Sequence, residues 1–231
     1  AEAWADRVEA ADSDGDEAED DDAAYEPLER RIRIAAPRDI PRGTVVLRGA
    51  RVVTMEGDEV VEEADLVVTD NRIQAVGAQG TVEIPVGAEV VDVSGHTIVP
   101  GFVDTHAHLR PAFGLHKSQN WVYLANLAYG VTTTRDPQTG TTDVLTYADR
   151  VRAGEMLGPR VYSTGPGVFG DYVENEIRSL DHARDIMRRY ADYYDTKTLK
   201  MYMSGNRQQR QWVLMAAREH EIMPTTEGGL K

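Results

Sequence analysis

The sequence has 231 residues, of which 41% are hydrophobic and 28% charged, an ordinary balance for a globular protein with a buried core. The net charge of −14 disfavours nucleic acid as a partner, because the phosphates would repel it. The chain has no cysteine, which excludes disulfides and thiolate-bound zinc, and no stretch of about 20 apolar residues that could span a membrane.

Most of the negative charge lies at the start of the chain. Residues 1–26 contain twelve acidic residues and one basic residue. Repulsion between like charges and the lack of an apolar face predict a disordered acidic tail over residues 1–27. Residues 28–43, which contain a short alternating strand at 31–35 and then two prolines, are predicted to be a linker.

Residues 44–99 are predicted to form a small β-sandwich. Five runs rich in β-branched residues are its candidate strands: 44–55, 64–69, 72–76, 89–93 and 97–99. Turn sequences such as Asp70-Asn71 and Ser94-Gly95 separate them, as is typical of small all-β domains.

From Pro100 onward, strands and helices alternate. The predicted strands are 102–106, 131–135, 160–163, 198–202 and 222–226, and the predicted helices are 118–129, 142–157, 180–194 and 206–221. This order predicts right-handed crossovers and a parallel sheet. The fold class is therefore α/β: a small N-terminal β-sandwich domain, then residues 100–231 as the N-terminal part of a truncated (β/α)8 barrel of the TIM type.

Two histidines lie where the first of the predicted barrel strands ends. Residues two apart on a strand point to the same side, so His106 and His108 can present two imidazoles to one ion. Parallel α/β folds hold their sites at the carboxyl ends of their strands. A His-x-His triplet also arises by chance in a chain with six histidines, so this position, after a complete β-domain, is what favours a metal site.

Several segments together resemble the amidohydrolase superfamily. Segment 97–109, Thr-Ile-Val-Pro-Gly-Phe-Val-Asp-Thr-His-Ala-His-Leu, is similar to its first-strand signature. Others resemble the N-terminal β-domain of the imidazolonepropionase-like and prolidase-like branch: 45–53, 70–73 and 91–95. A third set resembles members fused behind a TolB-like β-propeller: 114–117, 124–137 and 206–212. The resemblance covers about residues 41–231 and implies that residues 28–41 leave such a propeller.

The resemblance implies a site for one or two divalent metal ions, usually Zn²⁺. His106 and His108 match the first-strand ligands. Lys200 falls at the fourth strand, where many members carry a carboxylated lysine that bridges two metals. A buried neutral amine can take up CO₂ and bind metal as a carboxylate does; the alternative is a lysine that faces solvent.

The remaining candidate residues leave alternatives open. The fifth strand of the family commonly ends in a His ligand, whereas this chain offers Glu227, which either binds zinc or only opens a turn. Arg135 and Asp136 either contact substrate or form an internal ion pair. His116 either enters the pocket or stays in an exposed loop.

The implied reaction is hydrolysis of a C–N bond in an amide, cyclic amide or dipeptide by metal-activated hydroxide. The family's general acid/base follows later strands, so no catalytic residue is predicted in this chain. The fragment is expected to need its C-terminal half, with a β-propeller and a homo-oligomer as further partners; a binding module and a deaminase-like or dihydroorotase-like enzyme are the alternatives. The resemblance and the lack of cysteine favour a periplasmic or extracellular location.

Overall fold

The computed structural model of the chain describes residues 28–168, 177–202 and 205–226. The chain divides into two compact units, residues 1–35 and 36–231. The described part of the first unit, residues 28–35, has no regular secondary structure, so the strand predicted at 31–35 is wrong. An alternating pattern makes a strand only where a neighbour supplies its hydrogen bonds. The predicted acidic tail lies outside the described residues.

Residues 44–98 contain a five-stranded mixed sheet. Its strands are β1 (Thr44–Val53), β2 (Val60–Thr69), β3 (Arg72–Ala78), β4 (Glu89–Asp92) and β5 (Thr97–Ile98). The order is β3-β2-β1-β4, and β5 also pairs with β1. The hairpins β1–β2 and β2–β3 are antiparallel, whereas β4 and β5 run parallel to β1. The predicted strands are therefore present, while their packing as a sandwich stays a prediction.

The turn predicted at Asp70-Asn71 is the two-residue hairpin between β2 and β3. Both residues have positive φ, +47° and +62°, which two-residue hairpins of this twist require and which Asp and Asn tolerate. The Asp70 carboxylate also accepts the Gly43 N–H at 3.0 Å. The start of β1 is thus fixed to the end of β2.

The second part of the chain alternates strands and helices as predicted. Its elements are β6 (Phe102–Asp104), α1 (Trp121–Ala128), β7 (Val131–Asp136), α2 (Asp143–Ala153), β8 (Arg160–Ser163), α3 (Leu180–Arg188), β9 (Thr198–Met201), α4 (Arg207–Glu219) and β10 (Met223–Thr226). The strands β6, β7 and β8 form one parallel sheet, and β9 and β10 form a parallel pair. A parallel bridge between Val168 and Met201 links the segment after β8 to β9. The mixed α/β class is therefore confirmed.

The sequence specifies where most of these helices begin. Asn120 caps α1 by accepting the Val122 N–H, and Ser179 caps α3 by accepting the His182 N–H. Asn206 forms a complete capping box with Gln209 at the start of α4. None of the described helices is long and apolar enough to cross a membrane.

Apolar side chains of the helices pack on the strands in two clusters. One gathers α3, α4 and β9 around Met187, Leu199 and Val213. The other surrounds Tyr123 and Tyr147. Helix α1 leaves Trp121 71% exposed. Its Tyr123 is fully buried, because it packs against Tyr147 of α2.

Candidate metal centre at the strand ends

The two histidines of the sequence motif lie side by side. Strand β6 ends at Asp104, so the prediction that His106 lies on this strand is wrong, and both histidines follow it. The Asp104 carboxylate accepts the His106 N–H at 2.9 Å and forms the local turn typical of an aspartate two residues earlier. The imidazole centroids are 5.2 Å apart, with planes at 77°. This geometry lets both rings offer a nitrogen to one ion.

The ring of His108 is oriented by the loop after β7. Its Nδ1 lies 3.2 Å from the Gln138 carbonyl oxygen and 3.9 Å from Asp136 Oδ1. The carbonyl can only accept, so the contact favours a proton on Nδ1. The lone pair of Nε2 is then available to a metal, in the arrangement common for histidine ligands.

Asp136 lies beneath the two loops that carry these groups. Its side chain is 1% exposed, and its carboxylate accepts the Leu109 N–H at 3.2 Å and the Gln138 N–H at 3.1 Å. Burial raises the pKa of the Asp136 carboxyl group, and the Gln138 and Leu109 hydrogen bonds partly oppose that rise. The geometry supports positioning of both loops, and contact of Asp136 with substrate stays a prediction.

Lys200 is buried in β9 with 2% of its surface exposed, so the alternative of a solvent-facing lysine is wrong. It pairs in register with Thr225 of β10, and its Nζ lies 5.9 Å from the centre of the Tyr202 ring. Burial of this side chain is one of the conditions that carbamate formation needs. Its carboxylation stays a prediction.

Arg135 spans from β7 to β10. Its Nη2 donates to Thr225 Oγ1 at 3.1 Å, and the Thr225 hydroxyl donates to the Leu199 carbonyl at 3.0 Å. The Arg135 carbonyl accepts the N–H of Ala107 at 2.9 Å, so the backbone between the two histidines runs beside β7. These contacts bring β6, β7, β9 and β10 together at one end.

The side chain of His116 is partly buried, with 24% of its surface exposed. Its Nε2 lies 2.5 Å from Asp143 Oδ1, and its ring packs against Tyr147 at 4.9 Å between centroids. The Tyr147 hydroxyl accepts the Lys117 N–H at 2.9 Å. The loop after β6 is thereby attached to α2. The alternative of an exposed loop residue is therefore wrong, while entry of His116 into the pocket stays a prediction.

The contact between His116 and Asp143 predicts a pH-dependent stability. Hydrogen bonds from Thr141 and His116 lower the pKa of the Asp143 carboxyl group. A carboxyl whose folded pKa is lowered stabilises the fold above its ordinary pKa and loses that effect as the pH falls through the lowered value. We expect Asp143→Asn to melt below the wild type at pH 7, with the gap closing as the pH falls below about 4, the ordinary pKa of an aspartate.

Thermal melts of both proteins across this pH range measure the effect. Asp149→Asn is the matched control, because Asp149 lies on the same helix in an exposed pair with Arg152. A gap that stays constant down to pH 2, or an equal gap for the control, would contradict the prediction.

The predicted metal ligands form a partial donor set. Within residues 28–168, 177–202 and 205–226, no group of three or more His, Asp or Glu side chains is arranged to hold a metal ion. Glu227, the other predicted ligand, lies outside these ranges. The two imidazoles suit Zn²⁺, and the buried amine of Lys200 suits it once carboxylated.

Three positioning groups were missed by the sequence analysis: Asp104, the Gln138 carbonyl and Asp143. An aspartate two residues before His106 is a readable signal for a local turn. The role of the Gln138 backbone carbonyl has no sequence signal, because every residue has a backbone carbonyl. Asp143 was visible only as an acidic residue in the first turn of a predicted helix.

Comparison with known proteins agrees with the sequence resemblance. No family model matches the chain. An adenine deaminase from Deinococcus deserti is 36% identical over 89 residues, which cover 38% of this chain and 15% of that protein. A dihydroorotase from Mycobacterium tuberculosis is 42% identical over 67 residues, which cover 29% of this chain and 14% of that protein.

The fold is similar to that of a solved prolidase complexed with N-methylphosphonate-L-proline. The TM-score is 0.61 at 18% sequence identity, over 79% of this chain and 55% of the prolidase. The chain thus spans about half of that structure and about 15% of the first curated relatives. These likenesses in sequence and fold confirm the predicted resemblance to the amidohydrolase superfamily.

Proposed function

We propose that this chain forms part of a metal-dependent hydrolase that cleaves a C–N bond of an amide, a cyclic amide or a dipeptide. The observation that carries the proposal is the pair of imidazoles, His106 and His108, 5.2 Å apart where β6 ends. Their position where a strand of a parallel α/β fold ends matches where such folds hold catalytic metals. The proposal includes a barrel of the (β/α)8 type behind a β-sandwich domain.

In this proposal His106 and His108 bind the metal, one or two Zn²⁺ ions, and a carboxylated Lys200 adds an oxygen ligand. A bound divalent metal activates water and polarises a carbonyl group. The protein contributes orientation: Asp104 fixes the backbone of His106, and the Gln138 carbonyl holds the His108 ring. Asp136 holds the two loops at a fixed separation. Glu227 is a further proposed ligand.

Hydrolysis of a defined substrate panel tests the function. The protein carrying this sequence is loaded with zinc and assayed on dipeptides ending in proline, on hydantoins and on adenine. We expect hydrolysis of one class that a chelator abolishes, and a loss of roughly a hundredfold in rate for His106→Asn or His108→Asn. His96→Asn is the control, since His96 lies in the exposed turn before β5.

The proposal fails if the rate survives chelation or if both histidine variants keep the wild-type rate. A second candidate is a deaminase, favoured by the 36% identity to an adenine deaminase. Release of ammonia from adenine, with no cleavage of the amides, would identify that activity. Absence of every reaction, with a protein partner recovered instead, would favour the binding module.

A further inference from the structure

Arg135 carries an unsatisfied donor. Within the described ranges, its buried Nε has no hydrogen-bond partner, and its side chain makes only the Nη2 bond to Thr225 Oγ1. Asp136, the adjacent carboxylate, is turned toward the Leu109 and Gln138 N–H groups. A buried donor without an acceptor costs free energy, so an acceptor that arrives with a ligand would be favoured here.

The guanidinium of Arg135 lies at the same end of the parallel strands as the proposed metal ligands. Arg135 lies near the end of β7, and its carbonyl accepts the N–H of Ala107, the residue between the two histidines. Its side chain ends on Thr225, the register neighbour of Lys200. The cationic group therefore belongs to the same end of the parallel strands as the proposed ligands.

We propose that Arg135 binds a carboxylate of the substrate. The substrate class is then an amide that carries a free carboxylate, such as an N-acyl amino acid or a dipeptide. A guanidinium presents its N–H groups in a planar fork that matches a carboxylate with two parallel hydrogen bonds, and Nε is one arm of that fork. This inference rests on the proposed function, because it takes the strand ends to be the substrate site.

Paired ligands that differ only in charge test the inference. N-acetyl-L-proline and N-acetyl-L-prolinamide are titrated into the protein by calorimetry, which needs no turnover. We expect the wild type to bind the acid at least about tenfold more tightly than the amide. Arg135→Gln removes this preference, Arg135→Lys keeps part of it, and Arg152→Gln, a surface control on α2, leaves it intact.

Circular dichroism verifies that each variant is folded. Thr225→Val keeps Arg135 but removes its hydroxyl partner, so it should weaken the preference for the acid by less than Arg135→Gln does. Equal binding of acid and amide by the wild type, or binding of neither, would overturn the inference. If Arg135→Gln weakens binding of the acid and of the amide equally, the inference is also overturned. Arg135 would then pair with an anionic group of the protein, such as a Lys200 carbamate, and not with the carboxylate of the ligand. A preserved acid preference without metal-dependent hydrolysis would instead refute the proposed function alone.

Discussion

Replacing Asp136 with alanine is expected to lower the free energy of unfolding by about 2–4 kcal/mol and to weaken zinc binding by roughly 10–100-fold. The Leu109 and Gln138 N–H groups would lose their acceptor inside the protein. The Gln138 carbonyl, which holds the His108 ring, would then no longer be fixed. Urea denaturation and competition with a zinc chelator measure the two effects.

Two further variants separate the hydrogen bonds from the charge. Asp136→Asn keeps one acceptor oxygen and turns an NH₂ group toward the other donor, so an intermediate loss is expected. Asp149→Ala removes an exposed carboxylate of α2 and should change stability by less than about 0.5 kcal/mol. A zinc affinity unchanged in Asp136→Ala would show that Asp136 does not position the metal centre.

Replacing Lys200 with methionine is expected to separate stability from metal binding. Methionine is close to lysine in volume and has no amine to bury, so the fold should be as stable as the wild type or more stable. The zinc content should fall by one ion per chain or to zero, because the proposed carbamate ligand is lost. Denaturation curves and atomic emission measure the two quantities.

Bicarbonate distinguishes a carbamate from an ordinary lysine at this position. Zinc uptake by the wild type should rise with added bicarbonate, whereas uptake by Lys200→Met should not. Lys197→Met is the control, since Lys197 is exposed and only three residues away. Unchanged zinc content in Lys200→Met would contradict the assigned role.

The sequence predicted the elements of the second half well because each has a local signal. The strand at 160–163 and the capped start of α4 at Asn206 appear as expected. Helix 180–194 was predicted as one α-helix, but after Arg188 it continues as a π-helical turn, Arg189–Tyr193. That turn buries Tyr190, and tertiary packing of this kind has no sequence pattern.

The candidate site was only partly predictable for a similar reason. His106 and His108 are neighbours in sequence, so their proximity follows from local geometry. The fixing of His108 by the loop after β7 and the contact of Arg135 with Thr225 join residues 30 and 90 positions apart. Such contacts depend on how the strands assemble, and a pattern along the chain does not encode them.

Anomalous diffraction at the zinc edge, from crystals grown with zinc, tests the central claim most directly. We predict a peak at the carboxyl ends of β6 and β9, about 2.0–2.1 Å from one imidazole nitrogen of each of His106 and His108. Density for a carboxylated Lys200 would accompany a second ion. A zinc peak at the His116–Asp143 contact only, or no peak beside His106 and His108, would contradict the assignment of a metal centre to this site.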